Sequence, residues 1–379
     1  MKTTISAKVK LHTTPEQFKA LRATQLAYRN ALNFVSRYAF EHGKMSNKVG
    51  LQDGTYADLR QQFRLPSQMA CSVPRHVSAT YKGLWTKVKL NAQARRDGRT
   101  KKRYKGLDQA PKYVSPTLDY QYSKDYSFKK DAHVSILTLD GRVLVPYTGY
   151  NKHVALIQQS ADIGGAKLWY DTPKKQFYLI VSLEIETPDP TPETHTSVVG
   201  VDVGIRYLAV TSTTKGECTF YSGKQTVPQA NHYARLRKRL QRKGTRSATR
   251  RLRAISGRER RLKQDANHVV SKRITERYPH ALIGLENLMD IRERTKRRKG
   301  KKATATQRKS NARQSKWAFA ELHSMIAYKA LLTNSMAVKV DAHYTSQACP
   351  MCGQRRRTIV PVKACSLCVK IAVTPFMRI

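Results

Sequence analysis

The 379-residue chain carries 71 Lys and Arg against 26 Asp and Glu, a formal charge of +45. Self-repulsion on this scale strains a compact fold unless a polyanion shares the field, which excludes an ordinary metabolic enzyme and leaves nucleic acid or an anionic membrane as partner. Apolar residues still make up 40% of the chain, enough for two or three cored domains and too many for a disordered basic tail. No run approaches the roughly 18–20 consecutive apolar residues of a spanning helix, so the membrane falls away. Met1 to Lys8 lacks the apolar core of a signal peptide and reads as a strand. The expectation is a cytosolic nucleic-acid-binding protein whose thiols stay reduced.

Thr14-Pro15-Glu16-Gln17 opens the first helix as a capping box with proline at the first helical position. Phe18, Leu21, Tyr28, Leu32 and Val35 follow at helical spacing, and Gly43 supplies a stop. Two further helices are expected over 55–64 and 75–94, split by Leu65-Pro66-Ser67, the second with Val77, Tyr81, Leu84, Trp85 and Val88 along one face. Arg95 to Arg103 is a basic loop, after which Tyr113, Tyr120, Tyr122, Tyr126 and Phe128 stand among polar residues. From 132 the period becomes two. Residues 133–139 and 142–147 predict a hairpin turning on Asp140-Gly141, and 167–170 with 176–184 a second pair around Thr172 to Lys175. Residues 1–14 and 130–186 therefore predict a small antiparallel sheet or β-barrel with a helical insertion over 15–129. Pro188, Pro190 and Pro192 punctuate a linker over 187–196.

Past the linker, Val198 to Gly204 is an apolar strand ending in Asp202, and Tyr207 to Ser212 carries the chain back. Residues 232–275 read as one long basic helical region. Between Arg235 and Lys263, 14 of 29 positions are Lys or Arg, too many like charges for the usual i,i+4 ion pairs, so they call for phosphates. The candidate contacts there are Arg237, Lys238, Arg239, Arg242, Lys243, Arg246, Arg250, Arg251 and Arg253. Leucines at 236, 240, 252 and 262 keep no unbroken heptad, which makes a coiled coil the lesser reading. Ala281 to Leu288 is another apolar strand, carrying Glu286. Residues 292–302 are almost solid charge, with Arg297, Arg298 and Lys299 as further phosphate candidates, and a helix runs through Trp317, Leu322, Ile326, Tyr328 and Leu331.

Two patterns carry chemistry. Cys349-Pro350-Met351-Cys352 and Cys365-Ser366-Leu367-Cys368 offer four thiolates at tetrahedral reach. Zinc in a structural role is favoured over an iron–sulfur cluster, with four unrelated thiols as the bland alternative. Gly353 suits the turn of a zinc knuckle, whereas Val369 stands after the second pair. The remaining cysteines, Cys71 and Cys218, are singles expected to be buried or inert. The second pattern is Asp202 and Glu286, each closing an apolar strand. Such carboxylates, if close in space, hold Mg²⁺ for phosphodiester hydrolysis. From spacing alone the commoner role of a strand-end acid is a cap or turn.

Val199-Gly200-Val201-Asp202-Val203-Gly204-Ile205-Arg206, Gly284-Leu285-Glu286-Asn287-Leu288 and Tyr344-Thr345-Ser346-Gln347-Ala348-Cys349-Pro350-Met351-Cys352-Gly353 resemble the TnpB family. Those proteins are RNA-guided accessory nucleases of bacterial and archaeal insertion sequences and relatives of the type V CRISPR effectors. Residues 316–330 fit the helix before the family's zinc tail, and Leu65-Pro66-Ser67-Gln68 with Tyr81-Lys82 agree more loosely. The resemblance implies a multidomain α+β and α/β chain: the wedge-like barrel, the recognition-like insertion, an RNase H-like (RuvC) nuclease domain over 197–340 including the basic helix, and a zinc-ribbon-like module over 341–379. It implies a guide RNA transcribed near the gene and a double-stranded DNA target as partners, catalytic Mg²⁺ on Asp202 and Glu286, and structural Zn²⁺ on the four cysteines. The family places a third catalytic aspartate just after the last cysteine. Here no Asp or Glu follows Asp341, so the tail departs from the family and impaired cleavage is expected. Asp341 itself falls in the strand before the zinc module. A nuclease-dead RNA-guided DNA binder is the alternative, ahead of a DNA transposase or a plain zinc-ribbon transcription factor.

Overall fold

The structure, a computed structural model, describes residues 2–115, 117–159, 162–172, 174–187, 195–204, 207–288, 304–308 and 318–341. They fall in two compact units, Lys2–Glu186 and Thr187–Ile379. Among the described residues no helix is long and apolar enough to cross a membrane.

The first unit is built on β1 (Lys2–Leu11), whose alternation buries Thr3, Ile5, Ala7, Val9 and Leu11 and turns the lysines outward. Helix α1 (Pro15–Glu41) starts on the expected capping box: Gln17 N donates to Thr14 Oγ1 and Thr14 N to Gln17 Oε1. It buries Leu21, Tyr28, Leu32 and Val35, leaving Phe18 half-buried. Helices α2 (Lys48–Asp53) and α3 (Tyr56–Gln61) replace the single expected helix over 55–64, because Asn47 caps an extra turn and Gly54 ends it. Helix α4 (Ser67–Arg96) begins eight residues before the expected start and passes through Pro74. Proline removes one backbone donor, but Pro74 is buried against the unit's core, and that packing offsets the lost bond. The expected apolar stripe is buried only as far as Val77 and Tyr81; Trp85 is exposed, so the second half of α4 stands clear of the core.

Seven strands follow the order β2-β6-β7-β1-β5-β4-β3: β2 (Thr117–Tyr120), β3 (Tyr126–Lys129), β4 (His133–Thr138), β5 (Gly141–Gly149), β6 (Asp162–Asp171) and β7 (Gln176–Glu186) beside β1. Helix α5 (Asn151–Gln158) connects β5 to β6. Strands β2 and β3 lie in the segment expected to be helical insertion. They are only four residues long, too short for a period-two signal to emerge. They are also the sheet's two edges, and tyrosines draw those edges together. Tyr126 Oη on β3 donates to Gly164 O on β6 at 2.7 Å, and Tyr120 Oη on β2 donates to Leu137 O on β4 at 2.8 Å. The result is a nearly closed antiparallel sheet. The β4–β5 turn sits on Leu139-Asp140 rather than Asp140-Gly141, with Gly141 opening β5 at φ +115° opposite Thr138.

The second unit carries a five-stranded sheet in the order β10-β9-β8-β11-β12. Strands β8 (Ser197–Asp202), β9 (Tyr207–Thr213) and β10 (Cys218–Ser222) are antiparallel, while β11 (Ala281–Glu286) and β12 (Met336–Val340) run parallel to β8. Between β10 and β11 the expected single basic helix is three: α6 (Thr226–Lys243), α7 (Arg246–Ala254) and α8 (Arg258–Arg277). Gly244 and Gly257, at φ +66° and +73°, make the breaks; a left-handed residue ends a helix and costs glycine little. Helix α9 (Phe319–Leu331) returns to β12. The core lies on one face of this sheet. Val199, Val201, Ile283 and Leu285 pack there with Val270 and Ile274 of α8 and Leu322 and Ile326 of α9.

Candidate active site and nucleic-acid interface

Val201 and Leu285 are register partners across the parallel β8–β11 pair. Asp202 and Glu286 are the next residues of each strand, so they end neighbouring strands side by side, their backbones one strand spacing of about 4.8 Å apart along the hydrogen-bonding direction. On the far side of β11, Glu286 pairs in register with Val340, and Asn287 N donates to Val340 O at 2.8 Å, which fixes the strand end. Valines and a glycine precede Asp202 because β8 is covered on one face by α8 and α9; the pleat turns Asp202 and Glu286 to the opposite face. Glu286 is 7% exposed. Burial raises the Asp202 carboxyl above its ordinary range, opposed by a hydrogen bond from the Val203 amide. Asp341 follows β12 directly and is exposed.

This donor set suits Mg²⁺. The ion takes hard oxygen ligands, often one or two carboxylates completed by water and substrate phosphate. A desolvated carboxylate whose ionisation is disfavoured gains most from a cation. Among the described residues, no group of three or more His, Cys, Asp and Glu side chains gathers as a metal site; the strand-end pair is what the fold supplies. Cys349, Cys352, Cys365 and Cys368 lie outside the described residues, as do Arg297, Arg298 and Lys299. Cys71 and Cys218 are half-buried.

All nine basic candidates between Arg237 and Arg253 are exposed on α6 and α7. Helix α6 is tied to α8 by one acid that the sequence made easy to overlook. Glu259 of α8, its side chain 13% exposed, meets Arg237 Nη1 of α6 at 3.0 Å and Lys263 Nζ at 2.9 Å, the second an i,i+4 pair. A cleft of about 930 Å³ opens beside this bridge, lined by Tyr233, Arg237, Gln241, Arg260 and Lys263 among others. Thr245 caps α7 through Ala248 N, and the helix buries Ala248 while its arginines stay in solvent. Helix α8 is clamped to α9 by Lys329, whose Nζ donates to His268 O and Ser271 Oγ at 2.7 and 2.8 Å; burial brings its pKa down to about 8.

The first unit holds a cavity of about 710 Å³ that no sequence pattern announced. Gln68, Arg75 and His76 of α4 face Asp119, Asp125 and Lys167 across it. His76 Nδ1 and Asp119 Oδ2 stand 2.7 Å apart. Asp125 is 1% exposed; Gln121 N donates to its Oδ2, while Oδ1 is buried without a hydrogen-bond partner. Burial raises this carboxyl above its ordinary range. The walls come from segments distant in sequence, so nothing local could have marked them.

Residues 180–292 match the OrfB_IS605 family, described as probable transposase, a span that contains Asp202, Glu286 and all nine basic candidates. Residues 319–371 match the TNB domain of Cas12f1-like proteins, a span that contains α9 and the four cysteines. No curated protein matches the chain. Among solved structures it is similar to Cas12f1 in its complex with sgRNA and target DNA, with a TM-score of 0.51, 10% identity and coverage of 100% of this chain and 98% of that one. It is also similar to the mini-RNA-guided endonuclease CRISPR-Cas_phi3, with a TM-score of 0.50, 9% identity and coverage of 94% and 88%. At such identities the likeness is one of fold.

Proposed function

Because the chain is a TnpB-family relative of the type V effectors, we propose that it is an RNA-guided DNA-binding protein and Mg²⁺-dependent DNA endonuclease associated with a transposable element. In this reading the guide RNA is transcribed near the gene and directs the protein to double-stranded DNA. The observation that carries it is the placement of Asp202 and Glu286 at adjacent parallel strand ends within the matched segment. The strand order, three antiparallel strands followed by two parallel ones, supports a RuvC-type, RNase H-like domain.

Asp202 and Glu286 would hold the ion, which supplies activation of the attacking water and stabilisation of the leaving oxygen when bound. Asp202 is the ligand whose charge the fold itself disfavours, so it ties ionisation to metal occupancy. Glu286, held by the β11–β12 register, sets the position of the second oxygen donor. The exposed arginines and lysines of α6 and α7 contact phosphates of the guide–target duplex, whose sequence is read by base pairing and not by the protein. The four cysteines would hold a structural zinc outside this site. The stretch Val369–Met377 after the last cysteine carries no acidic residue where the family places its third aspartate, and in this reading cleavage rests on Asp202 and Glu286.

The test is cleavage of plasmid DNA matching the guide by the purified ribonucleoprotein in Mg²⁺. Cutting lost in Asp202→Ala and Glu286→Ala, with target binding kept, supports the nuclease. Binding without any product, unchanged by Glu286→Ala, establishes the second reading, a nuclease-dead RNA-guided binder, which the absence of an acid in Val369–Met377 favours.

A further inference from the structure

The outer face of the seven-stranded sheet carries an arrangement that the nuclease reading leaves unused. Burial of Ala166 and Leu168 on β6, Phe177, Leu179 and Val181 on β7, and Ala7 and Val9 on β1 turns the alternate residues outward. Three registers then line them up. Trp169 stands opposite Tyr178, Tyr178 opposite Lys10, and Lys10 opposite Thr148. The next row holds Lys167 and Lys8, both paired with Ile180.

Trp169 and Tyr178 are stacked, their centroids 5.4 Å apart and their planes 28° from parallel. Lys8 Nζ lies 4.5 Å from the Trp169 centroid and 3.9 Å from that of Tyr178. Its ammonium is already partly dehydrated, and the charge of Lys174 bears on it as well, with Asp171 opposing. Both rings remain part-exposed. The nearby acid of the second row, Asp119, is engaged by His76 and faces Lys167 at 3.9 Å. Four lysines thus surround two stacked aromatic rings on the outer face of the nearly closed sheet.

Cationic Lys10 continues the aromatic row, ahead of Thr148, whose hydroxyl is engaged by His12 Nε2 at 2.8 Å; an apolar protein segment laid along the row would desolvate the Lys10 ammonium without pairing it. A double helix keeps its base faces covered and offers nothing to stack. An unpaired nucleotide offers both a π-face and a phosphate, and aromatic side chains on sheet faces among basic residues are a common way of holding one. We propose that Trp169 and Tyr178 form a stacking platform for an unpaired base of the guide RNA, with Lys8 and Lys10 on the flanking phosphates. Lys8 then leaves the ring faces when the base arrives. This rests on the RNA-guided reading for the identity of the strand.

The test uses the full chain with Trp85→Phe and Trp317→Phe, so that Trp169 is the sole tryptophan, and three probes at about 0.3 M KCl to mute phosphate contacts: r(U)8, d(T)8 and a hairpin-closed RNA duplex. Saturable quenching of Trp169 emission by r(U)8 is expected, with weaker quenching by d(T)8 and none by the duplex. In the otherwise unaltered chain, Trp169→Ala should weaken r(U)8 binding about 5- to 150-fold, the worth of one stacked base, while Trp169→Phe stays within about threefold of the wild type. Unchanged emission at saturating r(U)8, equal quenching by the duplex, or tighter binding of d(T)8 would each overturn the assignment. Cleavage is read separately, so an inactive nuclease that still shows the Trp169 response leaves this inference standing while the endonuclease reading falls.

Discussion

Helix α7 allows the phosphate-binding claim to be put in numbers. Ala248 and Ile255, both buried, mark its inward side, with half-buried Leu252 between them. At 100° per residue, Arg246, Arg250 and Arg253 project from the opposite side, whereas Arg251 lies on the flank. All four are exposed. If the outward three each neutralise one phosphate, replacing them together with alanine removes three counterion-releasing contacts. The slope of log K against log salt should then flatten by about 2.7 on a duplex, at about 0.9 per contact. Between 50 and 200 mM salt the wild type should lose about 40-fold more affinity than the triple variant. Fluorescence anisotropy on an RNA–DNA hybrid of roughly 20 base pairs, the natural heteroduplex length, gives the slope directly. Arg251→Ala alone should change it by less than about 1. Sequence preference should be the same for all variants, because backbone contacts carry no base information. A triple variant with the wild-type slope, or one with altered sequence preference, would refute the placement of α7 on the phosphates.

Further outcomes can be checked. The Asp202 pKa is raised in the fold above its ordinary 3.8, so ionisation costs stability once pH exceeds 3.8, and the cost is complete above the folded-state value. Asp202→Asn should therefore melt higher than the wild type in Mg²⁺-free buffer at neutral pH, with the advantage vanishing in acid; Mg²⁺ should stabilise the wild type only, and equal stabilisation of the variant would exclude Asp202 as a ligand. Tyr126→Phe deletes the donor to Gly164 O that joins the sheet's edges and should cost about 1–2 kcal/mol in urea unfolding; no change would mean that the closure carries no energy. Purified protein should release about one zinc per chain to a strong chelator after the thiols are titrated, and a chain free of zinc as isolated in zinc-containing medium would count against the four-thiolate site.

The sequence made β1, α1 and the β6–β7 pair plain because their signals are local: a period of two, a capping box, a proline turn. It also placed Asp202 and Glu286 at strand ends, and the β8–β11 register then supplied what spacing could not, their adjacency. Pro74 hid the start of α4, since only tertiary burial makes an internal proline tolerable. Gly244 and Gly257 were visible as residues, yet the uniform charge around them suggested one continuous helix. Most hidden was the cavity around Asp125, whose walls come from α4, β2, the turn before β3 and β6, segments far apart in the chain. The TnpB resemblance was legible where backbone constraint is strongest, in the glycines and acids of β8 and β11.

The arrangement of the two sheets has a consequence for the order in which the protein is made. Every strand of the seven-stranded sheet lies between Lys2 and Glu186, so that unit is complete on the ribosome before the other begins. Strand β11, by contrast, sits between β8 and β12, and its outer partner is the last described element to be synthesised. At 5–20 residues per second the interval is on the order of 10 s. During that interval the seven-stranded sheet can already fold while β11 still lacks its outer partner, so the first unit forms before the register that holds the Glu286 strand end is complete.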